Sequence, residues 1–171
     1  MKYQVKKLVP MLKSFLYSRS GEPYRFGGSI LRFTPGSRPV RTKYRNSPNT
    51  NVRNDALQVE LVLNSLHKGD TAVDIGAHAG QYGVLMSACC GSNGSVICFE
   101  PDPDAITRLE RNIALNPTLK SPQIVQAACS DTAGKANFYT QGGNSQSSLA
   151  KSALPQDRAT KEILVETIRL D

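Results

Sequence analysis

The residues of this chain that could carry chemistry begin in a turn after a short apolar segment. The segment includes Asp74, and two glycines, Gly76 and Gly80, bound the turn that follows. Gly76 permits a sharp change of direction, and Gly80 permits the next helix to pack closely on a sheet. A strand, such a turn and a helix place backbone N–H groups at the crevice beyond the strand end, where α/β proteins bind nucleotides.

The spacing of the glycines argues against a dinucleotide ligand. Counted from Gly76, the G-x-G-x-x-G fingerprint requires glycine at positions 78 and 81, which are His78 and Gln81 in this chain. A side chain at position 78 would crowd a pyrophosphate. S-adenosylmethionine contains no pyrophosphate, and Asp74 would face the cationic amino-acid end of that ligand, directly or through water.

A second acid occupies a position typical of nucleoside sites. Glu100 follows an apolar segment, 20 residues beyond Gly80, where α/β folds place an acid that accepts hydrogen bonds from ribose hydroxyls. The alternative is an acid that caps the next helix. Asp102, followed by Pro103, fits that role better, which leaves Glu100 without a structural role. Glu100 is therefore the strongest single site prediction.

The elements that must position these residues alternate between strand and helix. The pattern predicts strands over 71–75, 95–99 and 123–127 and helices over about 55–66, 81–88 and 103–113. We expect Asn54 or Asp55 to cap the first of these helices, whose apolar set includes Leu57, Leu61, Val62 and Leu66. Nearly continuous apolar strands separated by helices indicate parallel pairing in an α/β sheet. Two further strands, over 135–140 and 163–170, are predicted to form a meander.

Six segments in this order resemble the FkbM family of methyltransferases. They are 74–83 (DIGAHAGQYG), 99–103 (FEPDP), 111–116 (RNIALN), 128–131 (ACSD, with Gly134), 147–149 (SSL) and 168–171 (IRLD). The resemblance covers roughly residues 55–171. His78 stands where the family often has Asn.

This resemblance implies a Rossmann-like class I methyltransferase, a three-layer α/β sandwich that uses S-adenosylmethionine. It implies methylation of hydroxyl groups on sugars, glycans or secondary metabolites, with a small-molecule or glycan acceptor as partner. Carried over by position, the resemblance places cofactor-binding residues in three groups. The methionine end is assigned to Asp74, Gly76, Ala77, His78 and Gly80. The ribose is assigned to Glu100 and Pro101, and the adenine to the backbone of Ala127 and Ala128. No catalytic residue is assigned.

The resemblance also predicts an incomplete sheet. In the family, the segment matching Leu170-Asp171 is followed by another parallel strand, which would lie beside residues 71–75. We therefore expect a fragment or truncated product with an exposed apolar edge strand, weak cofactor binding and little turnover. The alternative function is a non-catalytic, nucleotide-binding Rossmann-like fragment.

The net charge of +7 is unevenly distributed along the chain. Residues 1–54 contain 12 Lys and Arg and one acid, whereas residues 55–171 contain 9 Lys and Arg and 13 acids. This contrast predicts a basic N-terminal arm, residues 1–54, with an amphipathic helix over 3–17 and a hairpin over 24–33. The arm could cover the acceptor site as a lid through Tyr24, Arg25, Phe26 and Arg32. Nucleic-acid binding is the rival interpretation of this charge, but no nucleic-acid motif accompanies it, so none is expected.

Other classes of protein and site are disfavoured by composition. No apolar run approaches the roughly 18 residues needed to span a bilayer, and the apolar stretch near the N-terminus is too short for a secretory signal, so a cytoplasmic location is expected. The four cysteines form no C-x-x-C pair, so reduced thiols and no metal site are predicted. The oligomeric state is left open.

Overall fold

The computed structural model describes residues 15–142, 147–150 and 159–171. It is a mixed α/β structure with three small sheets. The elements are β1 (Glu22–Phe26), β2 (Ser29–Phe33), a 3-10 turn (Thr42–Tyr44), α1 (Thr50–Ser65), β3 (Thr71–Ile75), α2 (Gln81–Cys90), β4 (Ser95–Phe99), α3 (Pro103–Ala114), β5 (Gln123–Val125), β6 (Ala128–Cys129), β7 (Gly134–Thr140) and β8 (Lys161–Ile168). Most of the helix predicted over 3–17 lies outside the described residues.

The central sheet is parallel, in the order β3-β4-β5. The predicted bounds of β3 and β4 are confirmed. The third strand is shorter than predicted because the chain turns after Val125, whose carbonyl accepts the N–H of Ala127 at 2.9 Å. Ala128 and Cys129 then join a different sheet, in which β6 pairs with β8 and β8 pairs antiparallel with β7, as the meander prediction required for the last two strands.

Helix α1 begins earlier than predicted and buries a partly different face. Asn49 caps it, accepting the N–H of Val52 at 3.2 Å, so the cap predicted at Asn54 or Asp55 is wrong. Leu57 and Leu61 are 46% and 64% exposed. The prediction is confirmed for Val62, and Ala56 and Val59 complete the buried face.

The N-terminal hairpin is part of the core. Tyr24, Phe26, Leu31 and Phe33 form one apolar cluster with residues of α1 and α2, and the rings of Tyr24 and Phe33 meet edge to face at 5.9 Å. The prediction that Tyr24 and Phe26 are lid residues is wrong, because both side chains are buried. The predicted domain boundary at residue 54 falls inside α1.

The two faces of the central sheet differ. One face packs on α2 and α3 through a cluster that includes Ala72, Val96, Cys98 and Leu109. On β3, alternate side chains point the other way, and Val73 and Ile75 are 45% and 56% exposed. Within the described part of the chain, β3 pairs with β4 alone, so this apolar strand lies at an edge.

We expect Gly83→Ala to destabilise the protein, because Gly83 sets the distance between α2 and the sheet. A Cβ at this position would lie 2.5 Å from the sulfur of Cys98, and such overpacking costs about 1–3 kcal/mol. In a Cys98→Ala background the same change should become stabilising, since Ala exceeds Gly in helix propensity by about 1 kcal/mol. Urea unfolding of the four proteins of this double-mutant cycle measures both effects, and equal effects in the two backgrounds would contradict the assignment.

Candidate functional site

The turn after β3 is fixed to the end of β4 by backbone hydrogen bonds. The N–H groups of Gly76 and Ala77 both donate to the carbonyl of Phe99, at 2.9 and 3.0 Å. Gly76 and Gly80 have φ of +73°, a conformation that favours glycine. A Cβ at Gly80 would lie 2.9 Å from Leu109 of α3. Gly80 therefore permits packing against α3, and Gly83 permits packing on the sheet, which corrects the role predicted for Gly80.

His78 adopts a left-handed backbone conformation, with φ of +49°. Among non-glycine residues, Asn, Asp and His are enriched there, so a histidine is compatible with this turn. The N–H of His78 donates to Oε2 of Glu100 at 2.7 Å. The turn after β3 and the acid after β4 are thus joined directly.

Glu100 is a buried acid with several backbone partners. Its side chain accepts the N–H of His78 through one oxygen and the N–H of Asp102, at 2.9 Å, through the other. Its own N–H donates to the carbonyl of Val125 at 3.1 Å. The expectation that Glu100 has no structural role is wrong, because it links the ends of three strands. A carboxylate offers about four acceptor positions, so two remain for ligand hydroxyls.

Burial raises the pKa of the Glu100 carboxyl, and the two backbone N–H groups that it accepts act in the opposite direction. The hydrogen bonds stabilise the charged form, while loss of water destabilises it. Glu100 is therefore held in place as an acceptor in a poorly solvated position.

Asp102 caps α3, as predicted. Its Oδ1 accepts the N–H of Asp104 at 2.9 Å, and its other oxygen accepts the hydroxyl of Thr140 on β7. This buried carboxylate joins the start of α3 to the sheet formed by β6, β8 and β7, and so fixes one side of the site.

Asp74 faces the helix layer rather than the open end of the sheet. Its side chain is buried, and Oδ2 has no hydrogen-bond partner within the described part of the chain. Burial raises its pKa to about 6; the N–H of Gly83 lowers the value, and the nearby Glu100 raises it. A buried carboxylate oxygen without a partner is costly, and a nearby cation would relieve that cost.

Two larger cavities each share a lining residue with a small cavity around these residues. The smallest, of about 100 Å³, is bordered by Gly76, His78, Glu100 and Pro101. Pro101 also borders a cavity of about 370 Å³ that reaches Gln126 and β8. His78 also borders a cavity of about 460 Å³ between the N-terminal hairpin and α3. His78 and Pro101, which were predicted site residues, thus each line the small cavity and one of the larger ones.

A family model for the methyltransferase FkbM domain matches residues 74–171, more than half of the chain. The chain belongs to the FkbM methyltransferase family. The match begins at Asp74, so it contains the turn, Glu100 and all the cavity residues except those of the N-terminal segment. A search of the curated proteins finds no match.

The structure separates the predicted site residues of this FkbM domain into two groups. Gly76, His78, Glu100 and Pro101 line the smallest cavity. Asp74, Ala77, Gly80, Ala127 and Ala128 are not among the residues that line the three cavities. Ala127 and Ala128 are buried, and the preceding residue, Gln126, lines the 370 Å³ cavity instead.

Sequence reasoning missed two asparagines as positioning residues, Asn112 on α3 and Asn116 just after its end. Asn112 donates to the carbonyl of Ala79 and accepts the N–H of Thr34, each at 2.7 Å. Asn116 accepts the N–H of Arg32 at 2.9 Å and donates to its carbonyl at 2.8 Å. The signal in the sequence was a polar residue at 112, in phase with the apolar positions Ala105 and Leu109 of the predicted helix; Asn116, beyond that helix, gave no such signal.

The described residues include free cysteines but neither a metal-ligand cluster nor a membrane-spanning helix. The four cysteines are free, and Cys90 and Cys98 are buried. No cluster of side chains there could hold a metal ion. No helix there is long and apolar enough to cross a membrane.

Proposed function

We propose that this chain is an S-adenosylmethionine-dependent methyltransferase that methylates a hydroxyl group on a sugar, glycan or secondary metabolite in the cytoplasm. We further propose that its central sheet and helices are those of a Rossmann-like class I methyltransferase. The observation that carries the proposal is the junction of the β3 turn with Glu100, at a cavity beyond the carboxyl ends of two parallel strands. This is the edge of an α/β sheet where nucleosides bind.

The residues at this junction fit the two chemically distinctive parts of the cofactor. Glu100 retains acceptor positions that suit a ribose diol. Asp74 lines none of the three cavities, but its buried carboxylate, whose Oδ2 lacks a partner among the described residues, lies near Glu100 and would attract a cationic amino-acid end through its charge. Gly76 and His78 would border the methionine end, and the cavity from Pro101 to Gln126 could receive the adenine. Ala77, Gly80, Ala127 and Ala128 would support this site from beneath.

Methyl transfer requires alignment more than covalent help. The bound cofactor would supply an electrophilic methyl group. The chain must hold the acceptor hydroxyl in line with it, and such positioning can supply several kcal/mol of the barrier. The turn is suited to this role because its backbone is fixed to Phe99 and Glu100. No residue is proposed as the base.

We expect S-adenosylmethionine to raise the thermal unfolding temperature, since a ligand at 100 times its dissociation constant stabilises by about 2.7 kcal/mol. Glu100→Gln should weaken binding by about 10- to 100-fold, because hydrogen bonds to a charged group contribute about 1.5–3 kcal/mol. Calorimetric titration with the cofactor measures this loss.

Glu110→Gln is the matched control, since Glu110 is an exposed acid on α3 away from the cavities. It should bind like the unaltered protein. Unchanged affinity in a folded Glu100→Gln variant would contradict the role proposed for Glu100, and absence of any cofactor binding by the unaltered protein would contradict the function.

The second candidate is a non-catalytic, nucleotide-binding Rossmann-like fragment. It is favoured by the exposed side chains of Val73 and Ile75 on β3, which is an edge strand among the residues that the structure describes. This candidate predicts cofactor binding without methyl transfer. Transfer of labelled methyl groups to any member of a panel of hydroxyl acceptors would exclude it.

A further inference from the structure

The 460 Å³ cavity is built by segments far apart in the chain. Its walls include the turn 34–37, which follows β2, together with His78, Arg108 and Arg111. His78 borders the Glu100 cavity as well. A molecule in the larger cavity would therefore lie next to the turn proposed to hold the methyl donor.

Two arginines bring positive charge to this cavity. Arg108 and Arg111 lie three residues apart on α3, a spacing that places both on one face. Each donates one hydrogen bond to a backbone carbonyl, Arg108 to Gly142 at 2.7 Å and Arg111 to Ser18. A guanidinium carries five N–H donors, so both retain donors for a ligand. Among the described residues, no carboxylate lies within 4.0 Å of either.

The opposite wall is polar and open. The hydroxyl of Thr34 donates to that of Ser37 at 2.9 Å. Gly36, at φ of +84°, has nothing within 4 Å of the position of a Cβ. Gln81, which also borders the cavity, is the first residue of α2, so the partial positive charge of that helix terminus adds to the charge of the arginines.

We infer that this cavity is the acceptor site and that the acceptor carries an oxyanion, a phosphate, sulfate or carboxylate, bound by Arg108 and Arg111. The acceptor role rests on the proposed function, because the cavity adjoins the proposed cofactor site through His78, which lines both. Guanidinium groups bind phosphate and carboxylate through paired, charge-assisted hydrogen bonds. The substrate class is thereby narrowed from hydroxyl compounds in general to phosphorylated, sulfated or acidic sugars and metabolites.

Calorimetric titration with three related sugars tests the inference. D-glucose 6-phosphate, D-glucuronate and D-glucose share a ring and differ in charge, and each is titrated with and without S-adenosylhomocysteine. We expect at least one charged sugar to bind about tenfold or more tightly than glucose, the difference of a single charged hydrogen bond. Comparison of the phosphate with the carboxylate identifies which oxyanion is preferred.

Variants connect that binding to the arginines. Arg108→Gln and Arg111→Gln should each weaken binding of the preferred sugar by about tenfold, and Arg108→Lys and Arg111→Lys, which keep the charge, should lose less. Arg53→Gln removes an arginine from α1, outside the cavity, and should bind normally. Far-ultraviolet circular dichroism establishes that each variant is folded.

Two outcomes separate this inference from the proposed function. If S-adenosylhomocysteine binds but the three sugars bind equally, or the arginine variants bind like Arg53→Gln, the oxyanion site is overturned and the proposed function stands. If the charged sugar binds through the arginines but the cofactor analogue does not bind, the acceptor role falls together with the proposed function.

Discussion

Replacing Asp74 by Asn should remove a large part of the pH dependence of stability. Burial raises the pKa of Asp74 from 3.8 to about 6. One pKa unit corresponds to about 1.4 kcal/mol, so the shift is linked to about 3 kcal/mol of folding free energy. This single group is therefore expected to have one of the largest effects on stability in the chain.

The direction follows from which state binds the proton. Between pH 4 and pH 6 the folded state keeps Asp74 protonated, while the unfolded chain has released that proton. Stability contributed by the protonated form is complete below the unfolded pKa and is lost as the pH rises through about 6. Asn cannot ionise, so the Asp74→Asn variant should lose about 2.4 kcal/mol less between pH 4 and pH 8 than the unaltered protein, because part of the full effect of about 3 kcal/mol is already lost at pH 4.

Urea unfolding at several pH values between 4 and 8 measures the difference between the two proteins. Any effect of the amide that does not vary with pH cancels from this comparison. Asp55→Asn, at an exposed position on α1, controls for the loss of one negative charge. Parallel stability curves for the unaltered protein and Asp74→Asn would show that Asp74 is not a buried acid of this kind.

Asp74→Asn should reduce the affinity for the proposed cofactor, although it removes a cost to folding stability. A cationic amino-acid end is attracted by ionised Asp74, so Asp74→Asn should bind S-adenosylmethionine more weakly although it is more stable at neutral pH. Affinity of the unaltered protein should fall about tenfold between pH 7 and pH 5, since binding requires the ionised form. Affinity of the variant should vary much less over this range.

Much of the central sheet follows from local sequence patterns. The strands over 71–75 and 95–99 match because mainly apolar segments there are each bounded by a glycine and an acid, Asp70 and Gly76 for the first and Gly94 and Glu100 for the second. The cap at Asp102 matches because Asp is favoured at the N-cap and Pro at the first helical position that follows it. Strand bounds and helix caps of this kind depend on a few neighbouring residues, so they can be predicted without knowledge of tertiary contacts.

Predictions of which side chains are buried were less successful than predictions of strand pairing. On α1, Val62 is buried as predicted, but Leu57 and Leu61 are exposed, because the cluster with the hairpin and α2 is formed through Val59 and Val62. The prediction of Tyr24 and Phe26 as lid residues depends on the basic composition of residues 1–54, which does not indicate which side chains face inward. Charge along the chain therefore did not mark the boundary of the core.

In the site as well, features set by local sequence signals are predicted better than those that depend on tertiary contacts. Glu100 was selected by its place after a strand, and the structure brings it to the turn at His78. Its bonds to backbone N–H groups could not be inferred, because they depend on how the turn and α3 meet. Asn112 and Asn116 were overlooked as positioning residues, since an asparagine on or just after a helix reveals its role only when the neighbouring segment is known.

Asn112→Ala should cost about 2–5 kcal/mol, because Asn112 joins the hairpin to the proposed cofactor turn from a fully buried position. Its loss would leave the N–H of Thr34 and the carbonyl of Ala79 without the bonds they now make at 2.7 Å. Each unsatisfied buried group costs about 1–3 kcal/mol. Urea unfolding should show this loss and little change for Glu110→Ala, an exposed position on the same helix.

Asn112→Asp distinguishes these hydrogen bonds from simple packing. The side chain keeps its shape and can still accept the N–H of Thr34, but ionised Asp has no donor for the carbonyl of Ala79. We expect it to be as destabilising as Asn112→Ala at pH 7 and to recover at pH 4, where a buried, protonated carboxyl can donate again. A loss that stays constant between these pH values would assign Asn112 to packing alone. Recovery would establish that a donor to Ala79 holds the turn against α3, the contact on which both cavities at His78 depend.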